Sequence, residues 1–115
     1  MKTKEVTLYV SRRFSAAHHL PYYDGPCNNL HGHTWHVEVW LTGTVDPDTG
    51  MVVDFKDIKN IIDHYDHRNL NVFFDNPTAE HIVSWIHKRI LSLDEVDSVR
   101  VRLWESENSY AEVSS

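Results

Sequence analysis

Hydrophobic and polar residues alternate in two stretches of the N-terminal half of the chain. Residues 5–15 and residues 33–45 each carry an apolar face and a polar face with a period of two. This period is typical of strands that bury one side. Residues 20–29 lie between them and are rich in proline, asparagine and glycine, which predicts a loop. Because this loop joins the two stretches, we predict an antiparallel pair, with a turn at residues 46–50.

Two later stretches repeat apolar residues at helical spacing. Asp54 is the predicted N-cap of the first helix, whose apolar stripe is Phe55, Ile58, Ile61, Ile62 and Tyr65. The second helix is predicted from about Thr78 to Leu93, with Thr78 or Asn76 as its cap. Its stripe is Ile82, Val83, Ile86, Ile90 and Leu93.

Two shorter strands follow the second helix. Val99, Val101 and Leu103 alternate with polar residues, and residues 110–113 predict a short last strand. The order β-β-α-α-β-β predicts an α+β fold in which an antiparallel sheet carries both helices on one face. We expect one domain over residues 1–115. Trp40 and Trp104 fall on the opposite face of the sheet, which indicates burial by another subunit.

Composition narrows the class of function. The chain has 115 residues, one cysteine and a formal net charge of −6. A single cysteine cannot form an internal disulfide, so we expect a cytoplasmic protein. The negative charge argues against non-specific nucleic-acid binding, and no apolar run approaches the length of a membrane span. We therefore expect neither nucleic acid nor a membrane as a partner.

Histidine is the unusual residue type, with nine in the chain. His31 and His33 lie two apart at the start of a predicted strand, so their side chains point the same way, about 6.6 Å apart along the strand. That arrangement suits two imidazoles on one zinc ion. The end of the first strand offers His18 and His19, and pairing of the two strands brings one of them to the same point.

Cys27 leaves two interpretations of such a site open. Three histidine ligands alone leave a fourth position free, as in catalytic zinc sites. Cys27 as a fourth ligand would close the site and make it structural. A zinc-stabilised binding module without catalysis is the corresponding alternative function, and the residues do not separate the two.

Six motifs occur in an order that resembles the 6-pyruvoyl-tetrahydropterin synthase family, most closely its 6-carboxy-tetrahydropterin synthase branch. They span nearly the whole chain and are jointly specific. They are FSAAHHLP at 14–21, CNNLHGH at 27–33, TGTVDPDTGMVVDFKDIK at 42–59, YDHRNLN at 65–71, NPTAE at 76–80 and WES at 104–106.

The resemblance implies a zinc site and its ligands. The family's zinc-binding histidines correspond to His18, His31 and His33, and His19 is then a bystander. The family's catalytic thiol corresponds to Cys27, which the resemblance assigns as a base and not as a fourth ligand. The histidines outside these motif positions are expected to be structural or surface residues.

The resemblance also implies the remaining site residues. The proton-transfer pair is Asp66 and His67, because Asn69-Leu70-Asn71 fixes the register and excludes the neighbouring Asp63-His64. The residue that holds the pterin is Glu105, whose carboxylate can accept from an amino group and a ring N–H together. Thr78 is a weaker candidate for pterin contact.

The implied substrate is 7,8-dihydroneopterin triphosphate, and the implied products are 6-carboxytetrahydropterin, acetaldehyde and triphosphate in queuosine biosynthesis. Only three residues separate Cys27 from His31, which resembles the carboxy branch. The pyruvoyl branch, which retains the side chain, is the alternative. A folate-related branch carries glutamate at the cysteine position, so Cys27 argues against it.

The resemblance finally implies the tunnelling fold, in which subunits join their sheets into a barrel. Relatives are typically hexamers built from two stacked trimers, with the pterin pocket between subunits, so Glu105 could serve a neighbouring chain. Basic residues near the predicted site are few. Arg12, Arg13 and Arg68 are the triphosphate-binding candidates by elimination.

Overall fold

A five-stranded sheet organises the chain, for which a computed structural model describes residues 5–115. The sheet order is β3-β1-β2-β4-β5. The elements are β1 (Glu5–His18), β2 (His31–Thr44), α1 (Phe55–Asp63), β3 (Arg68–Asn69), α2 (Ala79–Leu91), β4 (Val96–Ser106) and β5 (Ser109–Ser114). The predicted α+β class and the order of the main elements are confirmed.

The sheet is mixed, and the prediction of a wholly antiparallel sheet was wrong at one edge. Arg68 and Asn69 of β3 pair in parallel with Ala16 and Ala17 of β1. A strand of two residues is too short to show a hydrophobic period, so the sequence pattern could not reveal it. Its effect is to attach the segment after α1 to the end of β1.

The core lies between the sheet and the two helices. Trp35, Val37, Val39 and Leu41 of β2 are all at most 1% exposed, as their alternation predicts. The isoleucines of the predicted helical stripes cover them, and Ile58, Ile62, Ile82, Ile86 and Ile90 are fully buried. Phe55 was wrongly placed in the buried stripe, because its side chain is 48% exposed at the start of α1.

Both helices begin at the predicted caps. The Asp54 carboxylate accepts from the backbone N–H of Lys56, and the Thr78 hydroxyl accepts from the N–H of His81. The second helix ends at Leu91, two residues before the predicted end, with Ser92 as its C-cap. Among residues 5–115, neither helix combines the length and the apolar character needed to cross a bilayer.

Aromatic rings and arginines cover the sheet face that carries no helix, called here the open face. The Arg100 guanidinium lies 3.9 Å from the centre of the Trp40 ring, and Arg102 lies 4.3 Å from that of Tyr110. Stacked guanidinium groups remain hydrated at their edges while they shield the rings. The two tryptophans that the sequence placed on this face are therefore only partly buried in one chain.

The core predicts a clear contrast between two valine substitutions. Val101→Ala removes two methyl groups from a site with no exposure, and we expect it to lower the free energy of unfolding by about 2 kcal/mol. Val72→Ala makes the same change where the side chain is 72% exposed, and we expect a loss within about 0.5 kcal/mol. Urea unfolding at one protein concentration measures both, and equal losses would contradict this description of the core.

Candidate metal centre and active site

Three histidines meet at the end of the β1–β2 pair. Register places His18, the last residue of β1, opposite His31, the first residue of β2. His33 follows two residues later on the same face as His31. One ring nitrogen from each of the three lies within 4.8 Å of the others. The predicted convergence of His18, His31 and His33 is therefore present in a single chain, and among the described residues no cysteine belongs to the group.

Backbone carbonyls fix the orientation of two of the three imidazoles. His18 Nδ1 lies 2.7 Å from the carbonyl oxygen of Pro77, and His31 Nδ1 lies 2.7 Å from that of Asn29. Because a carbonyl only accepts, each Nδ1 carries the proton and each Nε2 presents a lone pair. This tautomer is the one that metal-binding histidines adopt when a second group holds the other nitrogen.

The chemistry of the free nitrogens fits a metal ion. Nε2 of His18 and Nε2 of His33 are buried without any hydrogen-bond partner. A buried polar atom without a partner is unfavourable, so such an atom in a native fold needs an explanation. Burial lowers the pKa of His18 and of His33, which keeps both imidazoles neutral at physiological pH. Neutral imidazole is the form that binds zinc.

Glu105 lies beside this cluster in the same chain. Its Oε1 is 3.7 Å from His33 Nε2. β4 supplies it, because β4 pairs with β2 and ends near the start of that strand. The sequence placed Glu105 in the site through the resemblance only. The structure adds that its carboxylate lies beside His33, one of the three clustered histidines.

Asp66 and His67 contact each other at the sheet edge. Asp66 Oδ2 lies 3.0 Å from His67 Nδ1, and Asp66 Oδ1 accepts from the N–H of Ser15 at 2.9 Å. The Ser15 N–H is the main reason why the pKa of Asp66 falls below its usual value. His67 has a φ of 59°, a left-handed conformation that turns the chain into β3. An ionised Asp66 can hold the His67 tautomer, with the His67 ring 83% exposed.

Cys27 lies apart from both groups, in a short 3₁₀ turn over Pro26–Asn28. Its side chain is partly exposed, and its carbonyl accepts from the N–H of Leu20 at 2.9 Å. Among residues 5–115, no hydrogen bond or ion pair links Cys27, the Asp66–His67 pair and the three-histidine cluster to one another, although His33 and His67 border the same surface depression.

Thr78 and the three arginines predicted to bind triphosphate lie in different environments. The Thr78 oxygen accepts from His81 N–H as a helix cap. Arg12 forms two bonds of 2.7 Å to Asp63 and is thereby neutralised. Arg13 and Arg68 each border a different surface depression instead.

Asn71 is a positioning residue whose role the sequence did not reveal. Its side-chain oxygen accepts from the N–H of His19 at 2.9 Å, and its side-chain nitrogen donates to the His19 carbonyl at 3.0 Å. The side-chain amide of Asn71 thus satisfies both backbone polar groups of His19, the residue after His18, as a neighbouring strand would. The motif Asn69-Leu70-Asn71 was the available signal, but it served only to set the register.

Comparison with known proteins identifies the family. The sequence model described as 6-pyruvoyl tetrahydropterin synthase matches residues 7–115. The chain belongs to the 6-pyruvoyl tetrahydropterin synthase family. The expectations of an enzyme of this family and of its subunit fold are confirmed, and the joining of subunits into a barrel stays a prediction.

Individual relatives within the 6-pyruvoyl tetrahydropterin synthase family carry more than one name. The 6-carboxy-5,6,7,8-tetrahydropterin synthase of Haemophilus influenzae is 33% identical over 135 residues, covering 90% of this chain and 96% of the relative. The dihydroneopterin monophosphate aldolase of Pyrococcus furiosus is 43% identical over 82 residues, covering 66% and 70%. The structure of the Caenorhabditis elegans 6-pyruvoyl tetrahydropterin synthase superposes with a TM-score of 0.78 at 28% identity, covering 100% and 99%.

If the histidine cluster binds zinc, substitution of a cluster histidine should weaken zinc binding and substitution of another histidine should not. We expect His31→Ala to weaken zinc binding at least about 100-fold, because it removes a ligand and not merely a supporting group. His64→Ala is the matched control, since its ring packs against Tyr65 and Phe73 outside the cluster. Competition with a calibrated chelator measures both affinities. Equal weakening in the two variants would contradict the assignment of the site.

Proposed function

We propose that this chain is a zinc-dependent 6-carboxy-5,6,7,8-tetrahydropterin synthase of queuosine biosynthesis that acts in the cytoplasm. Its substrate is 7,8-dihydroneopterin triphosphate. The observation that carries the proposal is the cluster of His18, His31 and His33, whose Nε2 atoms at His18 and His33 are buried without partners. The Haemophilus influenzae relative supports the carboxy branch.

The three-histidine cluster would bind the side chain of the substrate through zinc, and Glu105 would bind its pterin ring. Zinc held by His18, His31 and His33 would supply Lewis-acid polarisation of the side-chain hydroxyl oxygens. Glu105 would accept hydrogen bonds from the amino group and the ring N–H of the pterin. Because Glu105 lies 3.7 Å from His33, a pterin held by Glu105 would lie next to the metal ligands. Thr78 would add a contact through its hydroxyl proton, because the helix cap uses only its oxygen.

Cys27, Asp66 and His67 would move the protons. Cys27 as a thiolate would remove a proton from a side-chain carbon, and His67 would return a proton, with Asp66 holding its ring. Triphosphate leaves, and cleavage of the remaining side chain yields 6-carboxytetrahydropterin and acetaldehyde. The atoms of the three products balance if one water is consumed.

A homo-oligomer, specifically a hexamer of two stacked trimers, would complete this site. Within the described residues, β3 pairs with the outer edge of β1 at Ala16 and Ala17 and Ser15 bonds to Asp66 and His67, while β5 forms the other edge of the sheet. Free strand edges pair readily with another chain. The radius of gyration is 15.6 Å, against about 13 Å for a compact domain of this length. Joining β1 to β5 of a neighbour would bring separate site residues together.

Two rival activities have support. The pyruvoyl branch uses the same residues but keeps the side chain, and the Caenorhabditis elegans enzyme shares the fold over the whole chain. The 43% identity to the Pyrococcus furiosus dihydroneopterin monophosphate aldolase supports cleavage of a dihydroneopterin monophosphate as the other alternative. The carboxy and pyruvoyl branches differ in their product, and the aldolase differs from both in the number of phosphates on its substrate.

Product analysis with the zinc-loaded protein tests the proposal. We expect 6-carboxytetrahydropterin and acetaldehyde from 7,8-dihydroneopterin triphosphate, identified by mass spectrometry. A retained three-carbon side chain would assign the pyruvoyl branch. Turnover of the monophosphate alone would assign the aldolase.

Substitution of the thiol separates catalysis from a structural role. We expect Cys27→Ala to lower kcat about 10²- to 10⁴-fold while zinc content and folding stay unchanged, because it removes a proton-transferring group. Elemental analysis and circular dichroism provide the controls. Loss of zinc together with unfolding would instead favour the zinc-stabilised binding module with Cys27 as a fourth ligand.

A further inference from the structure

A pocket of about 460 Å³ lies between α1 and α2. Its volume is within the range of small-molecule sites, and it shares no bordering residue with the metal cluster. We call it the interhelical pocket. Its polar and aromatic borders come from both helices and from the segment between them, and they are Asn60, His64, Tyr65, Phe73, Trp85 and Arg89.

Aromatic rings form most of the interhelical pocket. The ring centres of His64 and Phe73 lie 4.9 Å apart, and the Phe73 ring meets that of Tyr65 at 5.3 Å and at an angle of 89°. Trp85 of α2 supplies a further ring and is 44% exposed. A flat ligand that packs on these rings removes apolar surface from water, which is favourable for a tryptophan exposed to this extent. The pocket therefore fits a planar ring system.

The hydroxyl of Tyr65 brings a buried polar group to this pocket. The residue is 3% exposed, and burial raises the pKa of its hydroxyl, so the hydroxyl keeps its proton at neutral pH. The charge of Arg89 and the indole N–H of Trp85 oppose this shift, because both lie close to the hydroxyl oxygen. Since the indole donates toward that oxygen, the hydroxyl proton is left to donate to a ligand beside the Arg89 guanidinium.

Arg89 gives the interhelical pocket a positive charge that no carboxylate neutralises. Within residues 5–115, the arginines in ion pairs are Arg12 and Arg102, and no aspartate or glutamate borders the pocket. Lys88 adds a second cation nearby, with its ammonium 5.7 Å from the centre of the Trp85 ring. In a chain of net charge −6, this place therefore favours an anion. Because a single guanidinium borders the pocket, a singly charged carboxylate matches it better than a doubly charged phosphate.

We propose that the interhelical pocket is a second binding site, separate from the metal centre, for a planar aromatic carboxylate. The ligand's ring packs on the aromatic borders, and its carboxylate pairs with Arg89 and accepts from the Tyr65 hydroxyl. Tyr65 is followed directly by Asp66 and His67. A ligand in the pocket thus contacts the turn that carries the proposed proton-transfer pair without occupying the metal centre. The inference does not depend on the proposed function.

Equilibrium dialysis of the zinc-loaded protein against 2-naphthoate, a planar aromatic carboxylate, tests the proposal. We expect saturable binding that Arg89→Gln weakens about tenfold, as for loss of a charged hydrogen bond. We expect Trp85→Ala to weaken it about fivefold through loss of ring packing. The neutral isostere 2-naphthamide should bind more weakly, and equally to the parent and to Arg89→Gln. Both substituted residues are exposed, so the variants should fold as the parent does, which circular dichroism verifies.

Lys56→Gln is the matched control for charge, because Lys56 lies on the exposed surface of α1 outside the pocket. Equal weakening in Lys56→Gln and Arg89→Gln would assign the effect to net charge and overturn the proposal. Glu105→Gln is the control for the metal centre and should leave 2-naphthoate binding unchanged. Binding that responds to Glu105→Gln but not to Arg89→Gln would place 2-naphthoate at the metal centre and overturn the proposal, as would absence of saturable binding. Failure of the proposed function is recorded separately by product analysis, because dialysis involves no turnover.

Discussion

The register between β1 and β2 determines where each candidate zinc ligand lies. It places His18 opposite His31 at the end of the strand pair, with His33 and Trp35 following on the buried face. A slip of one residue would move the two β2 histidines to the open face, because side chains alternate along a strand. The same hydrophobic alternation that buries Trp35 and Val37 prevents this slip. Core packing and the candidate metal centre therefore depend on one pairing.

Two loops then orient the imidazoles of His18 and His31. The carbonyl of Asn29 follows the turn that carries Cys27, and the carbonyl of Pro77 precedes the cap of α2. The segment after α1 is attached to β1 through β3 and through the paired amide of Asn71. The turn of Cys27 bonds to Leu20 just after β1, and Asp66 and His67 bond to Ser15 of β1. Loops that lack a regular hydrophobic pattern are thereby attached to the end of one strand.

Local signals in the sequence predicted much of this structure. The alternation of apolar and polar residues predicted the long strands, and Asp54 and Thr78 predicted the starts of the helices. These features depend on residues close together in the chain. The pairing of Asn71 with His19, the parallel strand β3 and the approach of Glu105 to His33 depend on residues far apart in the chain. Phe55 shows a different limit, because helical spacing alone did not show that the first turn of α1 is exposed.

The proposed function depends on zinc binding by three imidazoles with Cys27 left free for catalysis. X-ray absorption at the zinc edge of the loaded protein tests it most directly. We expect only nitrogen and oxygen neighbours near about 2.0–2.1 Å, with a pattern of three imidazoles. A sulfur neighbour at about 2.3 Å would contradict the claim and would make the site a closed centre with Cys27 as its fourth ligand.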